Sequence, residues 1–454
     1  MLRLHDTATG AVRPFEPRDP GRVAMYVCGP TVYDVPHLGH GRFALVFDVL
    51  RRYLEWTGYE VRYVSNITDV DDNIIERASA EGRSESDVAL QYEAVWYEAM
   101  DALGVRRPDA DPHATAYVEH MVGLIEQLVE RGCAYQTGDG VYLSVESVPG
   151  YGLLARQSLD SLRAGARVEV HEEKHSPVDF ALWKRAKPGE PSWAAPWGPG
   201  RPGWHTECVV MALDLLGDGF DIHGGGQDLA FPHHENERAQ AAALGRAFAR
   251  YWVHNGWVMV GGEKMSKSLG NFTSLVDLLQ RVDGRAYRLL VLRSHYRSPL
   301  EVTPETTADA SSALERLDNL VRRAAEHALS DAGADAGALD RFRAAMDDDL
   351  DTPAALAVLF DLVRQANSAL DAGDPAGAAP LVATVRQLAG AVGLVLGSGD
   401  EELDPEAVAL VAARDQARAD RDWPAADAAR DQLVARGWVV EDTPTGTRVR
   451  RRRA

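Results

Sequence analysis

The amino-acid sequence predicts an α/β fold built on a parallel sheet, followed by an α-helical bundle and a small α+β unit. Residues 23–28 are typical of a short buried strand, Gly29 and Pro30 break it, and residues 38–57 have the apolar spacing of an amphipathic helix. Residues 307–397 instead show alanine- and leucine-rich helical periodicity with two glycine-containing breaks. At 454 residues the chain suits about two to four domains.

The turn between the first strand and helix has the features of an anion site. His37 and His40 are three residues apart at the helix start, so both imidazoles lie on one face beside backbone N–H groups with partial positive charge. Gly39 leaves room for a purine or ribose to approach the backbone. The end of a parallel strand is where α/β sheets bind nucleotides. Taken alone, a histidine at this position is equally a helix cap or a surface residue.

A second cationic segment is GGEKMSKSLGNF at residues 261–272, which contains Lys264 and Lys267 between serines and glycines. Lysine is a mobile point charge suited to charge that builds on a phosphate oxygen. Taken alone, a basic loop of this composition is equally a solvated surface segment.

Four residues in polar motifs offer a plausible ligand set for Zn²⁺, two thiolates, an imidazole and a carboxylate. These are Cys28, Cys208 in GWHTEC, and His233 and Glu237 in PHHENE. The i, i+4 spacing of the last two places them on one helical face. The adjacent pair, His234 and Glu235, could substitute for them as ligands.

Composition limits the partners and the compartment. The net charge of −20 argues against an indiscriminate polyanion binder, so a nucleic-acid substrate needs a local basic cluster. Arg448 with residues 450–453 forms one, or is only a frayed tail. Three cysteines favour a reduced compartment over a disulfide framework, with Cys133 a buried apolar residue. Because neither a membrane span nor a signal peptide is evident, we expect a cytoplasmic protein.

Two motifs, HxGH and KMSKS, resemble the signature pair of class I aminoacyl-tRNA synthetases. The motifs GPTVYD, PHLGH, NITDVDD, GWHTEC, FDIHGGGQDL, FPHHENE and KMSKSLGN follow the order found in the cysteinyl-tRNA synthetase family, from about residue 20 to about residue 450. The resemblance implies ATP-dependent activation of L-cysteine as cysteinyl-adenylate, and transfer of the cysteinyl group to the 3′ end of tRNA(Cys). It also implies ATP with Mg²⁺ and one Zn²⁺ per subunit. Monomer is the expected state.

The resemblance implies a role for each site residue. An electrostatic clamp on ATP and the transition state is expected from His37, His40, Lys264 and Lys267. The nucleotide contacts are expected from His37, Gly39, His40, Gly225, Asp228 and Lys267. The amino-acid contacts are expected from Gly29, Thr68, Trp204 and His223. The zinc ligands are expected to be Cys28, Cys208, His233 and Glu237. No general base is needed, because the attacking carboxylate is already ionised.

The resemblance also implies a division into a class I Rossmann-like catalytic domain with an insertion, a helical bundle and a small α+β anticodon-binding domain. The expected boundaries are 1–113 and 201–253 for the catalytic halves, 114–200 for the connective insertion on the acceptor-end side, 254–306 for the KMSKS and stem-contact region, 307–400 for the bundle and 401–454 for the terminal domain. In that domain, Arg421, Asp422 and Trp423 are expected to meet an unpaired base.

Several segments have two interpretations. The turn at residues 68–72 fits Mg²⁺ binding or the cap of the next helix, and Asn73 replaces a lysine frequent in the family. The tryptophans of the insertion fit packing better than stacking on a base. The acidic run at residues 346–353 is expected to be a solvated turn and helix cap.

Two other functions are open to the same motifs. A cysteine ligase that acts on an amino sugar, as in mycothiol synthesis, shares the zinc and nucleotide motifs but lacks the complete carboxyl-terminal unit. A catalytically silent tRNA-binding paralogue is the other, and the intact histidines and lysines of the two signatures argue against it.

Overall fold

The structure is a computed structural model that describes residues 1–165, 173–261, 263–264, 273–327, 329, 332–397, 404–443 and 446–451. The strands are β1 (Arg3–Asp6), β2 (Ala11–Pro14), β3 (Arg22–Val27), β4 (Glu60–Ser65), β5 (Ala134–Gln136), β6 (Gly140–Leu143), β7 (Phe180–Arg185), β8 (Gly200–Pro202), β9 (Ile222–Gly226), β10 (Tyr251–Asn255), β11 (Val258–Val260), β12 (Glu263–Lys264), β13 (Leu300–Glu301), β14 (Trp438–Thr443) and β15 (Gly446–Arg451).

The helices account for most of the remaining described chain. They are α1 (Leu38–Trp56), α2 (Asp72–Glu81), α3 (Glu85–Ala102), α4 (Val118–Glu130), α5 (Leu159–Gly165), α6 (Trp204–Leu216), α7 (Glu235–Ala243), α8 (Leu275–Leu279), α9 (Gly284–Leu292), α10 (Pro304–Glu326), α11 (Ala336–Asp347), α12 (Thr352–Asp371), α13 (Pro375–Ala391), α14 (Pro405–Ala419) and α15 (Trp423–Ala435). In the part of the chain described, no helix is long and apolar enough to cross a membrane.

The catalytic sheet is parallel, with strand order β10-β9-β3-β4. After β3 the chain crosses through α1 to β4 on one side, and it later returns to β9 on the other side. The switch point of the topology therefore lies at the carboxyl end of β3, where ligands bind in open α/β sheets. Cys28 follows β3 directly at this point. The predicted strand, turn and helix are confirmed.

The insertion between the halves of this sheet contains its own antiparallel sheet, in the order β5-β6-β7-β8. The sequence predicts a helix over residues 116–131 and a hairpin over residues 133–145, and they are present as α4, β5 and β6. The proline, glycine and tryptophan content of residues 187–202 predicts an irregular loop. This prediction is wrong at its end, because β8 pairs with β7 there. Pro202 is accommodated as the last residue of this edge strand. Trp183 and Trp197 are buried and meet edge to face, which confirms their packing role.

The carboxyl-terminal half is helical, as predicted. Helices α10 to α13 form a bundle whose core includes Leu317, Leu359 and Leu388, each with no exposed area. Beyond it, α14 and α15 pack together and cover the hairpin of β14 and β15, with Trp438 buried between them. This is the small α+β unit.

The acidic run before α12 is not the solvated turn that its composition predicts. Asp349 is buried, and it accepts hydrogen bonds from the His5 N–H at 2.7 Å, the Tyr296 hydroxyl at 2.8 Å and Arg297 Nε at 2.7 Å. Hydrogen-bond donors from β1 and from the segment after α9 therefore take the place of water around the Asp349 carboxylate. Asp351 does cap α12, as expected.

A buried ion pair joins the catalytic sheet to the bundle. Asp48 on α1 accepts from Arg288 Nη1 on α9 at 2.6 Å, and both side chains are about 1 % exposed. Burial acts to raise the pKa of Asp48, but Arg288 and Arg52 hold it below its usual value. Arg288 also donates to the carbonyl oxygens of Gly104 and Val392, the latter at the end of α13.

We expect Arg288→Met to lower the free energy of unfolding by about 3–5 kcal/mol, because removal of one partner leaves a buried carboxylate short of its cation. Urea unfolding followed by tryptophan fluorescence measures this loss. The matched control is Arg364→Met, which breaks an exposed i, i+3 pair with Asp361 and should cost less than about 1 kcal/mol. Equal losses in the two variants would contradict the structural role of Arg288.

Candidate active site

Four side chains with metal-ligating atoms converge at the carboxyl end of β3. The sulfur atoms of Cys28 and Cys208 are 3.6 Å apart, Cys28 Sγ lies 3.4 Å from Glu237 Oε1, and Cys208 Sγ lies 3.7 Å from His233 Nε2. All four ligand atoms lie within 4.8 Å of one another. A tetrahedral ion with bonds of about 2.0–2.3 Å separates its ligand atoms by about 3.3–3.8 Å. The set therefore fits one tetrahedral ion.

Each of these side chains is placed by a different element. Cys28 directly follows β3, Cys208 lies in the second turn of α6, His233 comes from the helical turn Ala230–His234, and Glu237 lies in the first turn of α7. These elements meet because α6 packs on β3 and β4, and α7 packs on α6. His233 Nε2 lies 3.0 Å from Glu237 Oε1, as their i, i+4 spacing predicts.

Neighbouring rings fix the orientation of His233. Its Nδ1 lies 2.9 Å from His205 Nδ1, and the Trp204 ring stacks on its face with centroids 4.0 Å apart. A hydrogen bond to the second ring nitrogen is the usual way in which a ligating histidine is held. Trp204 is 40 % exposed, so the ring that covers His233 is itself partly open to solvent.

Burial disfavours the charged forms of the two thiols and of His233. It raises the pKa of the Cys208 thiol to about 12 and that of Cys28 well above its usual value. It also lowers the pKa of His233 well below the usual range. A soft cation would supply the positive charge that the two thiolates need, at the cost of displacing their protons.

Of the two alternative ligands, Glu235 is committed elsewhere. Its carboxylate accepts from the Leu154 N–H at 2.6 Å and from Arg238 at 2.7 Å. His234 Nδ1 lies 2.8 Å from His254 Nε2. Glu235 is therefore excluded as a metal ligand. His234 keeps one ring nitrogen for a second arrangement of metal ligands.

That second arrangement consists of Cys28, His223, His234 and Glu237, whose ligand atoms also lie within 4.8 Å of one another. His223 Nε2 is 2.6 Å from Glu237 Oε2. His223, a predicted contact to the amino acid, therefore lies beside the candidate metal ligands. His223 Nδ1 and His234 Nε2 are enclosed and lack a hydrogen-bond partner within the described ranges. The first arrangement has two sulfur ligands and the second has one.

Two of the four predicted amino-acid contacts, Gly29 and Thr68, share one hydrogen-bond chain. The Gly29 N–H donates to Asn66 Oδ1 at 2.9 Å, Asn66 Nδ2 donates to the Thr68 hydroxyl at 3.2 Å, and that hydroxyl donates to Glu207 at 2.6 Å. Gly29 must be glycine, because a Cβ there would overlap the Asn66 carbonyl. The sequence interpretation missed Asn66 and Glu207, although both lie inside motifs that it singled out, NITDVDD and GWHTEC.

The two histidines at the start of α1 cap the helix as well as bordering its N-terminus. His37 Nδ1 accepts from the His40 N–H, and His40 Nδ1 accepts from the His37 N–H, each at 3.2 Å. Their rings stack with centroids 3.7 Å apart. Capping therefore fixes both imidazoles on one face, with Gly39 between them.

Of the segment 261–272 that contains KMSKS, only residues 261, 263 and 264 are described. Strand β12 pairs with β11 through Met259 and Lys264, and only the backbone of this lysine is described. The chain returns at Thr273, whose carbonyl accepts from the Leu38 N–H at 3.3 Å beside the histidine turn. Lys267 lies outside the described residues.

The glycines at the end of β9 make room for protein side chains. A Cβ at Gly224 would overlap the Phe47 ring of α1, and one at Gly225 would lie 2.9 Å from His234 Cε1. Asp228 is exposed just beyond the strand. Close packing between α1 and the sheet thus accounts for Gly224.

The carboxylates of the acidic turn before α2 are bonded to other groups of the same chain. Asp69 accepts from the Thr115 N–H at 2.9 Å, Asp71 caps α2 through the Asn73 N–H at 2.9 Å, and Asp72 pairs with Lys184 at 2.5 Å. The capping interpretation is confirmed for Asp71.

Comparison with known proteins identifies the family. The family model of the class I (C) tRNA synthetase catalytic domain matches residues 14–312, a DALR domain model matches 341–397, and the cysteinyl-tRNA ligase anticodon binding domain matches 400–450. A cysteine–tRNA ligase of Halorhodospira halophila is 50 % identical over 471 aligned residues, covering 100 % of both chains. One of Alkalilimnicola ehrlichii is 50 % identical over 462, covering 99 % of this chain and 100 % of its own.

The chain belongs to the cysteine–tRNA ligase family. Among solved structures, methionyl-tRNA synthetase of Mycobacterium tuberculosis bound by methionyl-adenylate is similar, with a TM-score of 0.63 and 16 % identity, covering 89 % of this chain and 96 % of its own. At this identity the likeness shows the fold alone, the class I synthetase fold of the cysteine–tRNA ligase family.

We expect Gly224→Ala to destabilise the protein by about 1–3 kcal/mol, because its Cβ would lie 2.6 Å from Phe47 Cζ in a closed core. The double variant with Phe47→Leu should recover part of this loss, and a double-mutant cycle on the free energy of unfolding measures the coupling. Strictly additive losses would show that the two residues do not constrain each other.

Proposed function

We propose that this chain is a cysteine–tRNA ligase that joins L-cysteine to ATP as cysteinyl-adenylate with release of pyrophosphate, then transfers the cysteinyl group to the terminal adenosine of tRNA(Cys). The observation that carries the proposal is the buried set of Cys28, Cys208, His233 and Glu237 at the switch point of a class I synthetase sheet. Full-length identity of about half to cysteine–tRNA ligases supports it.

The proposed adenylation site lies at the start of α1. The cysteine carboxylate attacks the α-phosphorus of ATP, and negative charge increases on the phosphate oxygens as pyrophosphate leaves. His37 and His40, held by mutual capping, present their rings beside the backbone N–H groups of the helix start. Lys264 and Lys267 are the proposed mobile cations. The Thr273 contact supports the proposal, since it returns the lysine segment to the histidine turn.

The proposed zinc site selects the amino acid. When bound by Cys28, Cys208, His233 and Glu237, zinc would favour a thiolate at neutral pH, which a serine hydroxyl cannot supply. When serine replaces cysteine, the buried site lacks its sulfur partner and its polar groups stay unpaired. The free-energy penalty of this exceeds the penalty of a missing methylene group in an apolar pocket. Gly29, Thr68, Trp204 and His223 are the proposed contacts to the rest of the amino acid. Gly225 and Asp228 are the proposed contacts to the nucleotide.

The proposed tRNA partner engages the carboxyl-terminal unit. Trp423 at the start of α15 is 58 % exposed, Asp422 caps the same helix, and Arg421 adopts φ of +59°. An exposed aromatic ring beside charge and hydrogen-bonding groups suits an unpaired base. The proposed domain boundaries place the insertion of residues 114–200 toward the acceptor end. The side chains of Arg448 and residues 450–453 lie outside the described part.

The first test is transfer of labelled cysteine, with ATP, to unfractionated tRNA, beside a reaction that offers glucosaminyl-inositol. Charging of tRNA alone is expected. Transfer only to the amino sugar would make the chain a ligase of the mycothiol type, which the match to an anticodon binding domain at residues 400–450 argues against. Label on neither acceptor would indicate the silent paralogue.

We expect His40→Asn and Lys267→Ala each to slow adenylate formation by about 10²-fold or more, the size typical for loss of a transition-state donor. Single-turnover pyrophosphate release measures this rate. Lys187→Ala, in an exposed loop of the insertion, is the control and should leave it unchanged. Near-normal rates in the first two variants would refute their roles.

We expect Cys208→Ser to lower zinc content and discrimination against serine together, because a hydroxyl is a far poorer zinc ligand than a thiolate. Metal analysis of the purified protein and serine-dependent pyrophosphate exchange provide the two readouts. Cys133→Ser is the matched control, since Cys133 lies outside the cluster. Full zinc occupancy in Cys208→Ser would rule out Cys208 as a ligand.

A further inference from the structure

Glu207 is a buried carboxyl group beside the metal-ligand cluster, and it has no cationic partner among the described residues. It precedes Cys208 on α6, and it is 3 % exposed. One of its oxygens accepts from the Thr68 hydroxyl at 2.6 Å. Across the described ranges, no lysine, arginine or histidine forms an ion pair with it, and its second oxygen has no hydrogen-bond partner.

Glu207 differs from other buried carboxylates of the catalytic unit in how few protein groups stabilise it. Asp48 has Arg288 and Glu235 has Arg238 as cations, and Asp221 accepts from the backbone N–H groups of Arg18 and Ala24. Glu207 has one hydroxyl donor among the described residues. A buried carboxylate is normally paired or multiply hydrogen-bonded, so this single donor points to a cationic ligand.

The Thr68 hydroxyl is fixed so that it presents an acceptor. It donates its hydrogen to Glu207 and accepts from Asn66 Nδ2 at 3.2 Å. A hydroxyl has one donor hydrogen and two acceptor lone pairs, so one lone pair remains. Thr68 can therefore receive an N–H donor but cannot offer its own hydrogen to a ligand.

The same hydrogen-bond chain reaches the metal-ligand cluster. Asn66 Oδ1 lies 3.8 Å from Cys208 Sγ and accepts from the Gly29 N–H at 2.9 Å. In free cysteine the amino nitrogen is three bonds from the sulfur, hence about 3–4 Å away. If the sulfur lies at the cluster, the ammonium group lies within a few ångströms of the cluster, and the chain of Asn66, Thr68 and Glu207 begins 3.8 Å from Cys208 Sγ.

We propose that Glu207, acting through Thr68, is the positioning residue that recognises the α-ammonium group of the cysteine substrate. The proposal rests on the proposed function and deepens it. Thr68 accepts an ammonium hydrogen, while Glu207 orients the hydroxyl and provides the opposite charge. The cysteine would then be held at two points, its sulfur at the cluster and its nitrogen at Thr68.

The test is Glu207→Gln in the zinc-loaded enzyme, assayed by cysteine-dependent pyrophosphate exchange. We expect the KM for cysteine to rise at least about ten-fold, as for loss of a hydrogen-bonded charge interaction. The KM for ATP and the zinc content should not change. The inhibition constant of 3-mercaptopropionate, which has the thiol and carboxylate but no amine, should also stay the same.

Variants of Thr68 keep the test independent of how well Glu207→Gln folds. Thr68→Val removes the hydroxyl and should give the same selective loss for cysteine, whereas Thr68→Ser retains the hydroxyl and should restore most of the affinity. Thr206→Val is the matched control, because Thr206 is fully buried on α6 and its hydroxyl has no partner within the described chain.

An equal rise in the cysteine KM and the 3-mercaptopropionate constant would overturn the proposal, since it would show that Glu207 only maintains the shape of the pocket. An unchanged cysteine KM in both Glu207→Gln and Thr68→Val would overturn it as well. Failure of the unmodified enzyme to exchange pyrophosphate with cysteine would instead overturn the proposed function itself, and the two failures are thus distinguishable.

Discussion

The structure depends on the pairing of polar side chains at the carboxyl end of the parallel sheet, which is buried away from water. Histidines, thiols and carboxylates meet there with almost no exposed surface, and each pairing constrains the next: His205 with His233, His223 with Glu237, and His234 with His254. Because an unpaired polar group in such an interior is costly, the rings cannot rotate independently. The site is therefore organised by protein contacts before any ligand arrives, which is the preorganisation that selective binding requires.

The parts of this arrangement that follow from local sequence were predictable. The strand, glycine turn and amphipathic helix around His37 and His40 are set by periodicity over a few residues, and the structure has them at those positions. The candidate metal ligands could also be predicted from the sequence, because thiols, an imidazole and a carboxylate in polar motifs have few roles other than metal binding. Cys28 and Cys208 are 180 positions apart in the chain, yet their sulfur atoms lie 3.6 Å apart.

What the sequence could not reveal is the burial of a charge by distant partners. An acidic run next to a proline predicts a solvated turn, and Asp349 is buried only because His5, Tyr296 and Arg297 converge on it from other segments. Glu207 was overlooked for a related reason, because a single glutamate in a helix gives no sign that its carboxyl group is buried against Thr68, which lies far away in the sequence. Strand β8 is too short, and too rich in proline and glycine, for its pairing to appear in composition.

The contact between His5 and Asp349 spans 344 positions of the chain, and the amino group of Met1 is held by Asp347 in the same way. A ribosome releases the first strand long before it makes the residues that complete its pairing. Domains otherwise form in the order in which they emerge from the ribosome. The amino-terminal hairpin of the nascent polypeptide, however, lacks these hydrogen bonds through most of translation. The beginning of the chain is among the last parts of the molecule to be secured, and a tag fused before Met1 would replace the free amine that secures it.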